Sequence, residues 1–327
     1  MFSRRVKPRA HAELVPARED DVLVSAGVGP HGEVVALWST AEGREALLAY
    51  DGGPGRPAFA ATRAEHPVAA RLTVRDAVVE VAGLTLAHCQ VQPLPGDRFL
   101  VVGGRCRWRP EGAEHNAQVI DSAGDVVRTA VLGDGIGHLA TTPTGQVWVG
   151  YFDEGVYGNF GWGGPGPDPV GGPGLVRFDR DLRRAWAFPG DGDAPSIDDC
   201  YALNVAGETA WASYYSDFPV VRVGDGDRVA VWANEVEGAG AVVTDGTRCA
   251  LVGGYGRDHH LVRIGELTGE GRFEVRHTRR LVMPGPRSPS RWTMAGRGDV
   301  LHLISGTSHY RVDLDQLSAF GMSSAVP

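Results

Sequence analysis

The stretch GQVWVGYFDEGVYGNFGWGGPGPDPVGGPGLVRFD, residues 145–179, decides the fold. VWVG near its start and GLVRFD at its end are short apolar runs bounded by glycine, a pattern typical of β-strands. The residues between them are rich in glycine and proline but also include acids, aromatic side chains and an asparagine. This pattern predicts a β-rich chain in which one long loop joins two strands. The acidic and aromatic residues of that loop suggest more than a simple linker.

The first part of this pattern, a strand followed by a glycine-containing turn and a second strand, recurs along the chain. The intervals between successive turn glycines are 64, 49, 62, 39 and 52 residues, with a mean near the length of a four-stranded blade. The turns fall at Gly32, Gly96, Gly145, Gly207, Gly246 and Gly298. The sequence therefore predicts an all-β fold, a single six-bladed β-propeller over residues 1–327.

The end of the chain predicts how this ring closes. After HYRVDLDQL no candidate for a fourth strand of the sixth blade follows. We expect an N-terminal strand within residues 12–24 to supply it, because closure removes exposed strand edges. The outermost strand of the first blade stays open, since PVAARLTV and AVVEVAGL are both candidates.

Composition restricts the classes of function. The chain has 327 residues, 46 glycines and a formal net charge of −8, which argues against binding to nucleic acid or to an anionic membrane. The N-terminus lacks the apolar segment of a signal peptide, and no apolar run is long enough for a membrane span. The cysteines lack paired spacing, so we expect reduced thiols and a cytoplasmic location. They are Cys89, Cys106, Cys200 and Cys249.

Several motifs resemble those of known propellers. GQVWVG followed by GLVRFD resembles the blade repeat of sensor-type propellers, and DRFLVVGG and TRCALVGG resemble the kelch strand that ends in two glycines. GYFDEGVYGNFGWG, with DCYALNV and SYYSDFP, resembles uncharacterised bacterial propeller proteins, a likeness over about seventy residues. The resemblance implies a propeller fold and no activity. The full set of acids and asparagines that binds calcium in six-bladed lactonases has no counterpart that we can place here.

Strand direction predicts which residues share one face of the disc. In each blade the first strand runs away from that face and the second returns to it. Residues before the first strand and after the second therefore lie together, at what we call the ligand face. The Gly/Pro-rich insertion loop, residues 155–172, follows a second strand, and we expect it to lean over the central channel there.

Several candidate ligand-binding side chains should therefore lie together at the mouth of the channel. Acids, an imidazole and aromatic rings together can orient and cover a polar ligand. The alternative is that the acids face bulk water while the aromatic rings pack between blades. The candidates are Asp153, Glu154, Tyr157, Asn159, Trp162, His138, Asp199, Tyr214, Tyr215 and Asp217.

Histidines at the same face could be ligands of a divalent metal ion, Ca or Zn. His88 and His138 occupy matched positions before the first strands of neighbouring blades, and His259 follows a second strand. Imidazoles from three blades can bind a metal. The alternative is that these histidines line the channel and form hydrogen bonds to the backbone. The sequence contains no phosphate loop, HExxH, EF-hand loop or GxSxG motif, so no catalytic residue is assigned.

Three functions stay open at this point, and the fold does not choose among them. The first is a binding module for a small molecule or peptide at the mouth of the channel. The second is a metal-dependent hydrolase or lyase that uses His and Asp residues at the same face. The third is a scaffold that binds protein partners. Whether the protein is an enzyme is therefore uncertain from sequence.

Overall fold

A computed structural model describes residues 4–52, 57–164, 166–192, 194–282 and 292–319. Two short strands come first, β1 (Arg4–Val6) and β2 (Arg9–Glu13). Within the described residues the remaining strands follow one another as six antiparallel meanders, each formed by strands adjacent in the chain. Repeated short meanders of this kind are the units of a β-propeller, and the fold is all-β.

The first three meanders carry insertions between their strands. Meander 1 contains β3 (Val22–Val28), β4 (Val34–Ser39), α1 (Ala41–Leu47), the pair β5 (Tyr50–Asp51) and β6 (Phe59–Ala60), β7 (Arg63–Val74) and β8 (Ala77–Leu86). Meander 2 contains β9 (Cys89–Leu94), β10 (Arg98–Gly103), the pair β11 (Trp108–Arg109) and β12 (Gly112–Ala113), β13 (Ala117–Ile120) and β14 (Val126–Ala130). Meander 3 contains β15 (Ile136–Thr141), β16 (Val147–Tyr151), α2 (Asp153–Tyr157), β17 (Leu175–Phe178) and β18 (Arg184–Ala187).

The last three meanders are more regular. Meander 4 contains β19 (Asp199–Ala206), β20 (Thr209–Tyr215), β21 (Val220–Val223) and β22 (Val229–Trp232), with a 3-10 turn at Asp225–Asp227. Meander 5 contains β23 (Ala239–Thr244), β24 (Arg248–Gly253), a 3-10 turn at Gly256–Asp258, β25 (Leu261–Leu267) and β26 (Phe273–Leu281). Meander 6 contains β27 (Thr293–Arg297), β28 (Val300–Ser305), β29 (Ser308–Asp313) and then α3 (Leu314–Ser318).

The six turn glycines identified in the sequence connect the first and second strands of the meanders. All have a positive φ, from 57° at Gly207 and Gly298 to 96° at Gly246. This left-handed conformation is easy for glycine and strained for residues with a Cβ atom. Each hairpin is therefore encoded locally, at the one position in the turn that requires glycine.

The hydrophobic core lies between neighbouring meanders. Apolar side chains of meanders 1 and 2 pack together, and the same holds for meanders 2 and 3, 3 and 4, 4 and 5, and 5 and 6. A buried amide also joins two first strands, β19 and β23, to the turn that follows β27. The Asn204 side chain donates to the carbonyls of Val242 and Gly298, at 2.9 and 2.8 Å, and accepts from the Gly298 amide at 2.8 Å.

The N-terminal strands pair with the last two meanders. β2 runs antiparallel to β29, and β1 runs parallel to β26. The strand beside β29 thus spans Arg9–Glu13, earlier than the expected residues 12–24. Pro16 lies in the turn-containing segment that follows, and Val22 already begins β3, so these residues cannot extend the edge strand. β8 is the outermost strand of meander 1. None of the helices within the described residues is long and apolar enough to span a membrane.

Candidate functional site

Three carboxylates and three tyrosines line a cavity of about 280 Å³ between the ends of meanders 3 and 4. We call it the acidic–aromatic cavity. No lysine, arginine or histidine is among the side chains that line it. The lining residues are Asp153, Tyr157, Asp198, Asp199, Tyr201 and Tyr215.

Strand ends and one helix position these side chains. Asp153 and Tyr157 lie on α2, which directly follows the second strand of meander 3. Asp199 begins β19 and pairs with Tyr215 at the end of β20. The Asp198 amide donates to the Tyr215 carbonyl at 2.8 Å, and the Tyr157 hydroxyl donates to the Asp198 carboxylate. The beginning of one strand and the end of the next therefore meet at one face.

Aromatic rings form one wall of the cavity. The Tyr201 and Tyr215 rings are stacked with centroids 6.5 Å apart, and the Tyr201 and Tyr255 hydroxyls are hydrogen-bonded at 2.8 Å. Phe218 contacts Tyr201, Tyr215 and Tyr255 at centroid distances of 6.0, 5.6 and 6.0 Å. Tyr215 is 46% exposed, so part of its surface is available to a ligand. Electron-rich ring faces beside carboxylates favour a positively charged group.

Two side chains of the cavity, Asp199 and Tyr157, have raised pKa values. Burial, followed by the negative charge of Asp153, raises the pKa of Asp199 to about 6. A hydrogen bond to the Asp198 carboxylate raises the pKa of Tyr157, so this tyrosine stays protonated. At neutral pH the Asp199 carboxyl is therefore mostly ionised although its charge is costly, and a nearby cation would relieve that cost.

Two of the predicted ligand-binding residues, Glu154 and Trp162, contact meander 2 instead. Arg105 lies 2.6 Å from the Glu154 carboxylate and donates to both oxygens of buried Asp134, at 2.9 and 2.8 Å. Trp162 is buried, and its indole nitrogen donates to the Cys106 carbonyl at 2.8 Å. Glu154 and Trp162 therefore tie meander 3 to meander 2 rather than line the cavity.

The insertion loop does not lean over the channel as expected. The Phe160 carbonyl accepts from the Trp108 amide at 2.9 Å, and the Phe160 ring lies under the guanidinium of Arg107 at 4.6 Å. A cavity of about 460 Å³ runs along β3 from Leu23 to Val28, and we call it the central cavity. None of the described residues within 155–172 lines it. The loop is held sideways against meander 2, because its aromatic side chains find cationic and backbone partners there.

Three further candidates lie away from the acidic–aromatic cavity. Tyr214 is fully buried and donates to the Pro195 carbonyl at 2.8 Å, so it packs within the core. The Asn159 side chain accepts from the Phe160 amide at 2.7 Å and shapes a turn. Asp217 has a φ of 60°, is exposed in the loop after β20, and does not line the cavity.

The three predicted metal-ligating histidines contact separate parts of the backbone. His88 Nε2 lies 2.7 Å from the Ala49 carbonyl, and His259 Nδ1 lies 2.7 Å from the Gly256 carbonyl. His138 lines the central cavity, where burial lowers its pKa. Within the part of the chain that the structure describes, no three His, Cys, Asp or Glu side chains are grouped to hold a metal ion.

Sequence reasoning missed two residues that complete the cavity. Asp198 precedes the predicted Asp199, and Tyr201 follows Asp199 on the same side of β19. Because residues i and i+2 of a strand lie on the same face, the alternation that includes Asp199 could also have identified Tyr201. Asp198 lies before the strand, and its contacts with Tyr157 and with the Tyr215 carbonyl reveal its position only in the structure.

Comparison with known proteins adds a short family match and distant structural likenesses. A family model described as the YxzG family matches residues 187–247. No curated protein sequence matches the chain. Hsv2 from Kluyveromyces lactis is similar in structure at 8% identity, covering 94% of this chain and 79% of that chain, with a TM-score of 0.47.

Two enzymes are among the other similar structures. A gluconolactonase from Xanthomonas campestris has 13% identity and a TM-score of 0.39, covering 93% of this chain and 98% of that chain. A catalytically inactive virginiamycin B lyase from Staphylococcus aureus with quinupristin has 10% identity and a TM-score of 0.39, covering 92% and 98%. Because these identities and TM-scores are low, the fold assignment depends on the strand topology described above. No activity of these proteins is assigned to this chain.

Proposed function

We propose that this chain is a six-bladed β-propeller, closed by β2, that binds a positively charged small molecule or the cationic side chain of a peptide. The architecture is supported by contacts among the first strands, which follow the circle β3, β9, β15, β19, β23, β27 and back to β3. The pairing of β2 with β29 supports the closure. We also propose that its blades are related to those of sensor-type and kelch-like propellers.

The observation that carries the functional proposal is the composition of the acidic–aromatic cavity. Three carboxylates and three tyrosines line it without any cationic side chain. Such a surface stabilises an ammonium group through Coulomb attraction and through the ring faces of tyrosine. A neutral or anionic ligand would leave the carboxylate charges uncompensated. A peptide ligand would make this cavity a contact site for a protein partner.

The test measures binding of 1,5-diaminopentane by calorimetry, with 1,5-pentanediol as the uncharged ligand of matched length. Asp199→Asn should weaken diamine binding about tenfold, because one charge-assisted hydrogen bond is lost. Asp217→Asn removes the same charge from an exposed neighbour outside the cavity and should change affinity less than about twofold. Equal effects of the two variants, or equal binding of the diol, would contradict the proposal.

The diamine affinity should also depend on pH. The pKa of Asp199 is raised to about 6, so its carboxylate becomes protonated as the pH falls through that value. Diamine affinity should therefore decrease below about pH 6 in the wild type. The decrease should be smaller in Asp199→Asn, whose amide does not titrate in this range.

A metal-dependent hydrolase or lyase is the second candidate function. The observation in its favour is the Asp199 carboxyl, whose raised pKa near 6 suits a general base beside the Asp153 charge. Titration with calcium and zinc, together with metal analysis of the purified protein, tests this candidate. A cytoplasmic location is a further part of the proposal, supported by four unpaired cysteines.

A further inference from the structure

The central cavity, of about 460 Å³, is lined by residues of β3, β9, β15, β19 and β27. It extends along β3 from Leu23 to Val28. Its volume lies within the range of small-molecule sites, roughly 300–1,000 Å³. No acidic residue lines it, although the whole chain carries a formal net charge of −8. Its electrostatic character is therefore opposite to that of the acidic–aromatic cavity.

A buried guanidinium closes one end of the central cavity. Arg297, only 7% exposed, donates to the carbonyls of Val28 and Thr141 and to the Gln92 side chain, at 2.9, 3.0 and 2.7 Å. Its hydrogen bonds among the described residues all go to backbone carbonyls and to the Gln92 side chain, not to a carboxylate. The negative charge of Glu33 favours the charged form of Arg297, but Glu33 does not line the cavity. The carbonyl partners satisfy its hydrogen bonds but leave a net positive charge at the end of the cavity.

A second guanidinium and a buried hydroxyl line the same cavity. Arg44 of α1 uses only its Nε atom, which donates to the Leu23 carbonyl at 2.9 Å, and its Nη atoms have no partner within the described residues. The Ser25 hydroxyl is buried and has no hydrogen-bond partner there. Buried polar atoms in folded proteins are nearly always paired, so an unpaired donor suggests a group that occupies the cavity.

We propose that the central cavity is a binding site for a small carboxylate anion. Arg44 holds the carboxylate through its free Nη atoms, because a guanidinium fork matches the two oxygens of that group. The Ser25 hydroxyl donates a hydrogen bond to the anion, and the charge of Arg297 stabilises the anion from the closed end. The apolar stretches of the first strands contact the carbon skeleton. This site is separate from the acidic–aromatic cavity and does not depend on the function proposed for it.

The experiment uses the full chain and succinate as the probe, measured by calorimetry, with succinamide as the uncharged analogue at matched ionic strength. Arg44→Gln should weaken succinate binding by about tenfold or more, because it removes a charge-assisted hydrogen-bond donor. Arg98→Gln is the matched control. Its Nε atom likewise donates to one carbonyl, that of Pro95 at 3.0 Å, but Arg98 lies outside the central cavity.

Amide chemical shifts of the wild-type protein provide a second measurement that does not require the variants to fold. Succinate should shift the amides of Gly27, Gly137 and Gly296, which line the central cavity, and leave that of Gly246 unchanged. Asp199→Asn should bind succinate like the wild type. Absence of succinate binding up to about 10 mM, equal binding of succinamide, or equal losses in the two arginine variants would overturn the proposal.

Discussion

The contact between the N-terminal strand and the last hairpin contains a buried histidine pair that should make it sensitive to acid. His302 on β28 and His309 on β29 are both buried, and His302 Nδ1 lies 3.1 Å from His309 Nε2. The His11 ring of β2 packs edge-on against His309 at 5.1 Å. Arg311 lies 3.3 Å from His11 and adds a positive charge. A proton added to the pair would therefore meet other positive charges.

The pKa values of the two histidines determine how much unfolding free energy is lost at acidic pH. Burial lowers the pKa of His302 to about 3 and that of His309 to about 4, both from 6.5. The unfolded chain therefore binds more protons than the folded one below about pH 6.5, so stability decreases as the pH falls. At pH 4.5 each ring would cost at most about 2.7 kcal/mol. The rings share one hydrogen bond and titrate together, so we expect about 3 kcal/mol in total.

The perturbation is the double variant His302→Asn and His309→Gln. The Asn amide can replace Nδ1 and the Gln amide can replace Nε2, so a hydrogen bond persists without a titrating group. Urea unfolding at about pH 7.5 and about pH 4.5 measures the loss of unfolding free energy, which should be about 3 kcal/mol smaller in the double variant. His115→Asn, at an exposed histidine, should behave like the wild type. An equal loss in all three proteins would refute the reasoning.

Two further predictions concern buried groups. Arg297→Met should lower the unfolding free energy by about 3–5 kcal/mol, because backbone carbonyls of several meanders lose a buried donor. Arg128→Met, which removes an exposed ion pair with Asp181 at 2.9 Å, should cost less than about 1 kcal/mol. Similar losses in urea unfolding would show that Arg297 has no special role. The four buried thiols should react with a thiol reagent only after denaturation, since burial raises the pKa of Cys89, Cys106 and Cys200 to about 12. Fewer than four reactive thiols in denaturant without reductant would contradict this.

Much of the candidate site could be predicted from sequence because strand direction is a local property. Asp153, Tyr157, Asp199 and Tyr215 were all candidates, and all line the acidic–aromatic cavity. Strand direction could not, however, show which of two consecutive residues lines the cavity. Glu154 follows Asp153 on α2, but its carboxylate is held by Arg105 of another meander.

By itself, the sequence determined the all-β class, the six hairpins and the positions of their turns, because glycine conformation and apolar alternation act over a few residues. Only the tertiary structure decided which polar groups meet across the molecule. Arg297 contacts Val28, 269 residues away, and Gln92, 205 residues away. Tyr157 reaches Asp198 across 41 residues. Such partners depend on how whole sheets pack against each other, and no local pattern records that packing.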